Sequence, residues 1–372
     1  METKAKGLYV HIPFCVRKCN YCDFASESAP ESKVNKYIDK LISEIELYSG
    51  EQKIKVDTVF FGGGTPSLLS PDKFHKIVDA ISKSFDLSAL SEFTVEVNPA
   101  TLNDDKIKAY KRAGVNRISI GVQSIHENEL KKLGRIHNYP DFKHTYLELR
   151  EAGFSNISFD LMYGIPYQTQ DSFKETLKTV IALSPEHISA YGLIVEAGTP
   201  FYEEGKKLAL PSEDEEYAMY CDAHDMLAKA GYNHYEISNY AKPGFECKHN
   251  LKYWRDEEYI GVGLAAHSYF NGKRYGNTDS FDEYFNSYLP NYNRESCENP
   301  KDPFEYAMLA LRLSEGFSLS EYERMFGEKF ASGKERKLKA FVEGGLLLVN
   351  GDRICLTPKG FYVSNSIMSE LL

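Results

Sequence analysis

Three cysteines near the start of the chain have the spacing of a metal-cluster loop. Cys15, Cys19 and Cys22 form the pattern Cys-x3-Cys-x2-Cys. Their thiolates can bind three corners of a 4Fe–4S cluster, which normally has four cysteine ligands, so that one iron stays open. An open iron can chelate the amino and carboxylate groups of S-adenosylmethionine, and electron transfer to the sulfonium then gives a 5′-deoxyadenosyl radical. The spacing therefore predicts a cluster that works together with S-adenosylmethionine.

Two other interpretations of this loop stay open at this point. His11 lies four residues before Cys15, which makes a zinc site with the pattern His-x3-Cys-x3-Cys-x2-Cys one alternative. Three incidental buried thiols are the other alternative. A disulfide framework is not expected, because the seven cysteines are an odd number and the other four are scattered along a long chain.

Strands that alternate with helices are predicted over the first 200 residues, and these elements must position the cysteine loop. Six short apolar or β-branched runs predict strands at 8–12, 58–61, 93–97, 117–122, 157–162 and 187–193. Apolar residues at three- and four-residue steps predict helices between most of them, for example over 34–48 and from Ser70 onward. This alternation is typical of a parallel sheet, and six units predict an α/β fold with a partial (β/α)6 barrel.

Polar or glycine-rich residues lie near the end of each predicted strand or follow it. The carboxyl ends of barrel strands meet on one face, so these residues are expected to line a common site. They are the cysteine loop, the turn at 62–67, and Glu96, Gln123, Asp160 and Tyr191 with their neighbours.

The rest of the chain predicts two further regions. We expect the barrel at 1–205, an α+β middle region at 206–295 and a C-terminal winged-helix-like domain at 296–372, with a hairpin around Asn350 and Gly351. Basic and acidic residues are balanced in that last region, which argues against a DNA-binding role.

Composition excludes several classes of protein. With 42% hydrophobic residues, the 372-residue chain can bury a large core. Its 44 Lys and Arg residues against 54 Asp and Glu residues give a net charge of −10, which disfavours nucleic-acid binding. No segment has the roughly 20 apolar residues that span a bilayer. The N-terminal segment has no long apolar run, so we expect a cytoplasmic protein without a signal peptide.

These motifs resemble those of the radical S-adenosylmethionine superfamily. The likeness extends along the whole chain to one branch, the oxygen-independent coproporphyrinogen III oxidases and the related HemW-type heme chaperones. The segments that carry it are 9–15, 60–67, 96–99, 119–124, 133–137 and 160–166.

The resemblance implies where S-adenosylmethionine would bind. Glycines let backbone groups approach the methionine amino group, acidic side chains suit ribose hydroxyls or an ammonium group, and a guanidinium suits the carboxylate. An apolar side chain just beyond the sixth strand would contact adenine. The implied residues are Tyr9, Gly64, Thr65, Glu96, Gln123, Arg135, Asp160 and Ile194.

Two departures separate the chain from the oxidases of this branch. Phe24 stands where the oxidase has a further cysteine, and only 14 residues precede Cys15, whereas the oxidase has a longer N-terminal arm. The segment with His249, Asn250, Tyr253 and Trp254 matches the motif of the heme chaperones. Histidine can ligate heme iron, the two aromatic rings can stack on a flat macrocycle, and Asn250 can orient the histidine or meet a propionate.

Alternatives to this heme interpretation stay open. A buried polar and aromatic cluster that closes the barrel mouth would have the same residue types. Cys247 is another candidate iron ligand, and His267 is expected either to be structural or to line a pocket.

The resemblance implies a heme chaperone with a 4Fe–4S cluster, S-adenosylmethionine and heme as cargo. It would hand heme to apo-hemoproteins such as respiratory cytochromes, with no nucleic-acid partner. It leaves room for a homodimer and for membrane association through a protein partner. The alternative is the oxidase reaction, in which coproporphyrinogen III loses two CO2 to give protoporphyrinogen IX.

Overall fold

Parallel strands joined by helices make up the first half of the protein in the computed structural model, which describes residues 4–287 and 302–372. The strands are β1 Lys6–Ile12, β2 Ile54–Gly63, β3 Phe85–Asp86, β4 Glu92–Val97, β5 Arg117–Gln123, β6 Ile157–Tyr163 and β7 His187–Gly192. The helices are α1 Glu31–Glu46, α2 Pro71–Ser84, α3 Asp104–Ala113, α4 Glu127–Leu133, α5 Tyr139–Glu151 and α6 Gln170–Leu183.

Local sequence explains where these helices form. In α1, Tyr37, Ile38 and Leu41 repeat at helical spacing and are buried on one face. The predicted start of α2 is confirmed, because the Ser70 side chain accepts a hydrogen bond from the Lys73 N–H and a proline occupies the first turn.

The six predicted strands are all present and pair in parallel in the order β1-β2-β4-β5-β6-β7. The short β3 pairs with β2 at the side of this path. The prediction of a partial barrel is confirmed. Among the described strands the sheet does not close on itself, since its order ends in different strands.

The middle region extends the same sheet. Its strand β10 (Tyr259–Val262) pairs in parallel with β1, and its strand β9 (Asn239–Ala241) pairs antiparallel with β7. The expected boundary at residue 205 therefore does not separate two sheets. The strands are β8 Asn233–Glu236, β9 Asn239–Ala241, β10 Tyr259–Val262, β11 His267–Phe270 and β12 Lys273–Gly276. The helices are α7 Pro200–Glu204, α8 Glu213–Lys229, α9 Lys248–Trp254 and α10 Phe281–Asn286.

Alternation along the strands divides an apolar core from a polar lumen. In β5, Ile118, Ile120 and Val122 are fully buried in the hydrophobic core. Between them, Ser119 donates to Asp160 on the neighbouring strand β6. Because side chains alternate between faces, each strand supplies apolar groups to one layer and polar groups to the other.

The C-terminal region has its own small sheet. Strand β15 pairs antiparallel with both β13 and β14, and the predicted hairpin around Gly351 is present. The expected domain start at 296 lies outside the described residues. The elements are α11 Pro303–Ala310, β13 Phe317–Ser318, α12 Leu319–Phe326, α13 Glu335–Glu343, β14 Leu347–Asn350, β15 Arg353–Leu356, α14 Pro358–Tyr362 and α15 Ser364–Leu371.

Within the described ranges, no helix combines the length and apolar character needed to cross a membrane.

Candidate functional site

A cavity of about 380 Å³ lies at the carboxyl ends of the barrel strands. This is the face on which the polar segments were predicted to meet. Residues predicted for the cluster and for S-adenosylmethionine line it together: Cys15, Cys19, Cys22, Gly64, Thr65, Glu96, Gln123, Arg135, Asp160 and Ile194.

Backbone hydrogen bonds hold the cysteine loop at the mouth of this cavity. The Cys15 N–H donates to the Glu27 carbonyl at 2.9 Å, and the Asn20 N–H donates to the Leu133 carbonyl at 2.9 Å. The loop is thereby tied to its own return segment and to the end of α4. All three of its thiols are free and half-buried.

The surroundings of the three thiols fit an iron–sulfur cluster. The Thr65 hydroxyl lies 3.5 Å from the Cys15 sulfur, and Nη1 of Arg135 lies 3.8 Å from the Cys19 sulfur. Donors that point at sulfur and a cationic side chain beside it stabilise thiolates that ligate iron.

The zinc alternative receives no support from His11. Its Nδ1 lies 3.0 Å from the Tyr9 hydroxyl, and its Nε2 lies 3.0 Å from the Ala25 carbonyl oxygen, so both ring nitrogens have other partners. Nowhere in residues 4–287 and 302–372 do three His, Cys, Asp or Glu side chains converge as ligands of one ion would. Cysteines that bind separate irons of a cluster lie farther apart than ligands of a single ion.

The glycine turn after β2 brings backbone close to the cysteine loop. The Gly64 N–H donates to the Ile12 carbonyl and the Thr65 N–H donates to the Phe14 carbonyl. A Cβ atom at Gly64 would come within 2.8 Å of the Phe14 backbone, so only glycine allows this approach. The turn therefore presents main-chain groups to the cavity.

Two half-buried carboxyl groups, Glu96 and Asp160, line the cavity. Burial raises the pKa of Glu96 to about 8, and the nearby Asp160 adds to this rise. Glu96 accepts a hydrogen bond from the Gly63 N–H at 3.1 Å. Asp160 accepts from the hydroxyls of Ser119 and Ser189, and burial raises its pKa as well. Such a pair favours a ligand that brings positive charge or hydroxyl donors.

Arg135 lines the cavity beside the ends of β4 and β5. Its Nη2 donates to the Asn98 side-chain oxygen at 2.5 Å and to the Gly121 carbonyl at 2.6 Å. Its Nε is buried and has no hydrogen-bond partner among the described residues. A guanidinium fixed in this way keeps donors for an anionic group such as a carboxylate.

The remaining predicted contacts, Gln123, Ile194 and Tyr9, lie at different places relative to the cavity. Gln123 has a positive φ of 65°, and its side-chain oxygen accepts from the Tyr191 hydroxyl at 2.7 Å. Ile194 lines the cavity mouth with 68% of its surface exposed. Tyr9 does not line the cavity but lies beneath it, next to Phe60 and His11.

The four residues predicted to contact heme lie away from this cavity. His249, Asn250, Tyr253 and Trp254 belong to α9 or end it, and none of them lines the cavity. His249 is fully buried, and the other three are half-buried. Their heme contacts therefore stay a prediction, and the alternative of a buried polar and aromatic cluster describes their present surroundings.

Several cavity residues were not among the predicted contacts. Asn98 belongs to the same segment as Glu96 and positions Arg135. Tyr191 was recognised only as part of a polar segment. Tyr21 lies between two cluster cysteines, and no pattern in the sequence marks it as a cavity residue.

Comparison with known proteins identifies the family. Residues 9–180 match the Radical SAM superfamily, and residues 299–363 match the HemN C-terminal domain. The protein named heme chaperone HemW of Lactococcus lactis is 38% identical over the whole chain and 98% of its own length. The chain belongs to the HemW family. The heme chaperone HemW of Bacillus subtilis is 36% identical over 99% of both chains.

A solved structure shows the same fold as this HemW family member. Coproporphyrinogen III oxidase (HemN) from Escherichia coli superposes with a TM-score of 0.84 at 24% identity, over 99% of this chain and 90% of that one. The partial barrel with its C-terminal domain is therefore confirmed as a radical SAM architecture of the HemN type. Membership in the superfamily implies a 4Fe–4S cluster and S-adenosylmethionine, which agrees with the thiols and donors of the cavity.

Proposed function

We propose that this protein binds heme and transfers it to apo-hemoproteins, with respiratory cytochromes as the class of recipient. The observation that carries the proposal is the similarity to proteins named heme chaperone, which extends over the full chain at 38% and 36% identity. In the proposal, the cluster and S-adenosylmethionine in the main cavity control when heme is bound or released.

The chain's own residues divide the work of holding the cluster and S-adenosylmethionine. Cys15, Cys19 and Cys22 are the cluster ligands in the proposal. When bound, the cluster would supply an electron and an open coordination position. Arg135 binds the carboxylate of S-adenosylmethionine, because its guanidinium is fixed by Asn98 and keeps a buried donor free of partners in the described chain.

The other contacts with S-adenosylmethionine are assigned by whether each side chain is polar or apolar. Glu96 and Asp160 accept hydrogen bonds from the amino group and the ribose hydroxyls. Thr65 and the main chain at Gly64 border the methionine end, and Gln123 and Ile194 border the adenosine end. Tyr9 supports the glycine turn from below.

The cavity mouth suits a large apolar ligand. Phe24 lines it with 58% of its surface exposed, at the position where the oxidases of this branch have a cysteine. An exposed aromatic ring beside the cluster loop offers apolar surface and no additional ligand to a metal. This supports a chaperone more than a decarboxylase.

The test is a heme titration of the full chain with its cluster reconstituted under anaerobic conditions. We expect saturable binding with a Soret band that differs from that of free heme, followed by transfer of heme to an apo-cytochrome. In a parallel assay with reductant, S-adenosylmethionine and coproporphyrinogen III, we expect no protoporphyrinogen by mass spectrometry. Substrate-dependent decarboxylation without heme binding would contradict the proposal.

We also propose in which compartment heme is transferred and how the protein reaches its recipients. We place the transfer in the cytoplasm, because free cluster thiols persist in a reducing compartment. With a net charge of −10 the protein has no electrostatic attraction to anionic lipid, so it would reach membrane-bound cytochromes through a protein partner. Size-exclusion chromatography with and without the cluster tests the homodimer.

A further inference from the structure

The floor of the barrel carries a second polar cluster, at the opposite end of the strands from the cavity. Glu92, Ser158 and His187 lie at or next to the first residues of β4, β6 and β7, and Thr58 lies at the middle of β2. Thr58 pairs with Glu92 across the sheet, and Ser158 pairs with His187. Helix α9 lies against Thr58 and Glu92, below the lumen.

Glu92 fixes the first turn of this helix. Its carboxylate accepts the N–H groups of Lys248 at 2.9 Å and His249 at 3.0 Å, and the Cys247 sulfur lies 3.6 Å away. The Cys247 N–H donates to the Tyr235 hydroxyl at 3.2 Å. The orphan N–H groups of a helix start are therefore paired inside the barrel.

His249 has no ring nitrogen left for a metal. Its Nδ1 lies 2.9 Å from the Thr58 hydroxyl and its Nε2 lies 2.8 Å from the Tyr253 hydroxyl. The side chain is fully buried. Burial lowers the pKa of His249 to about 3, with Lys252 adding to the effect, so that the ring stays neutral. Heme ligation would require the ring to give up one of these partners and a porphyrin to enter the core.

Aromatic contacts connect this histidine to the floor of the cofactor cavity. The His249 ring stacks on Phe60 with centroids 5.3 Å apart, and it lies 6.5 Å from the ring of Tyr9. Tyr9 in turn contacts Phe60 at 6.1 Å. The three rings thus form one packed group between α9 and the strands β1 and β2.

The same group touches the glycine turn and the cysteine loop. A Cβ atom at Gly62 would come within 3.1 Å of both the Tyr9 ring and the Glu96 carboxylate. The Tyr9 hydroxyl meets His11, whose other nitrogen lies 3.0 Å from the Ala25 carbonyl in the return segment of the cysteine loop. Displacement of the His249 ring would therefore shift groups that border the S-adenosylmethionine site.

We propose that His249 is a positioning residue for the S-adenosylmethionine side of the barrel, which holds Tyr9 and Phe60 in place, and that it is not the ligand of the heme iron. The inference rests on the proposed function only for the identity of the cofactors in the cavity. The positioning role replaces the role of heme-iron ligand that the residue type of His249 alone suggests.

Two substitutions separate the two roles. His249→Gln removes an imidazole that could ligate iron but keeps groups that can hydrogen-bond Thr58 or Tyr253. Thr58→Val keeps the imidazole and removes the partner of its Nδ1. His144→Gln is the matched control, because His144 lies on the outer surface of α5 with 74% of its side chain exposed.

Three readouts are measured on the full chain. Heme titration of the cluster-free protein gives the Soret band and the dissociation constant. Electron paramagnetic resonance of the reduced cluster, with and without S-adenosylmethionine, gives the affinity for that cofactor. Amide hydrogen exchange of residues 9–12 in the cluster-free protein reports on β1 without any cofactor.

The proposal expects His249→Gln and Thr58→Val to weaken S-adenosylmethionine binding by about fivefold or more and to speed exchange in β1. It expects the Soret band to be unchanged and heme affinity to stay within about twofold of the parent, with His144→Gln matching the parent throughout. A lost or shifted Soret band in His249→Gln would overturn it. Unchanged cofactor affinity and β1 exchange in both floor variants would also overturn it. If the parent protein binds no heme at all, the proposed function fails, and the other two readouts still decide the role of His249.

Discussion

Replacement of Glu96 by glutamine should stabilise the cluster-free protein, and the gain should grow with pH. The pKa of Glu96 is raised to about 8 by burial and by Asp160, against about 4.3 for an unfolded chain. Between these values the folded protein holds a proton that the unfolded chain releases. Stability must therefore fall as pH rises through this window, which is the reverse of the usual behaviour of an acidic residue with a depressed pKa.

The size of the effect follows from the same pKa values. A difference of about 3.7 pH units at about 1.36 kcal/mol each gives an upper bound of about 5 kcal/mol at pH 8 and above. Water in the cavity screens part of this cost, so about half of it is the working figure, 2–3 kcal/mol. At pH 5 both the acid and the amide are neutral in the fold, and the two proteins should agree within about 0.5 kcal/mol.

The assay is urea unfolding of the cluster-free protein at pH 5, 6, 7 and 8, followed by far-UV circular dichroism. Glu127→Gln is the matched control, because Glu127 lies exposed on α4 beside Lys131. Its unfolding free energy should run parallel to that of the parent. Parallel curves for Glu96→Gln and the parent over the whole pH range would refute the reasoning, since they would mean that Glu96 titrates at an ordinary pKa.

Three further substitutions test other parts of the structure. Cys19→Ala should abolish the visible absorption of the reconstituted cluster, whereas Cys355→Ala, in the C-terminal hairpin, should retain it; a full cluster in Cys19→Ala would remove Cys19 as a ligand. Arg135→Lys should weaken S-adenosylmethionine binding by about tenfold in an equilibrium titration, because lysine cannot make the paired contacts of a guanidinium; the exposed Arg112→Lys is its control, and equal affinities would refute the carboxylate contact. Trp254→Phe should lower the free energy of unfolding, measured in urea, by about 1 kcal/mol. The reason is that Arg312 lies 5.1 Å from the indole ring and joins α9 to the C-terminal region. An unchanged urea midpoint would show that this contact contributes nothing to stability.

The strands and the cavity could be predicted from the sequence because their signals are local and repeat. Each strand run alternates or is continuously apolar, and each ends in or leads into a polar segment such as those with Glu96 and Gln123. A parallel sheet brings all these segments to one face without further information. The cysteine spacing adds the chemistry, because few sites other than a cluster need three thiols in eight residues.

The arrangement of the middle region could not be predicted in the same way. Its strands are short, and β10 pairs with β1 although more than 240 residues separate Gly7 from its partner Tyr259. Pairings of this kind leave no periodic signal in the chain. Tyr21 and Asn98 were missed for a related reason, since their position in the cavity depends on how distant segments meet.

His249 at the floor and Arg135 in the cavity differ in how fully their own polar atoms are paired, although Nε of Arg117 at the floor also has no hydrogen-bond partner in the described chain. At the floor, both ring nitrogens of His249 have hydroxyl partners, and Glu92 receives two backbone N–H groups. At the cavity, Glu96 has a pKa of about 8, and the described chain supplies no partner for Nε of Arg135. Unpaired buried groups cost folding free energy unless a ligand satisfies them. Residue type alone makes His249 look reactive, but its two hydroxyl partners fit the structural role proposed for it, whereas the unpaired donor of Arg135 fits the proposed binding of a ligand in the cavity.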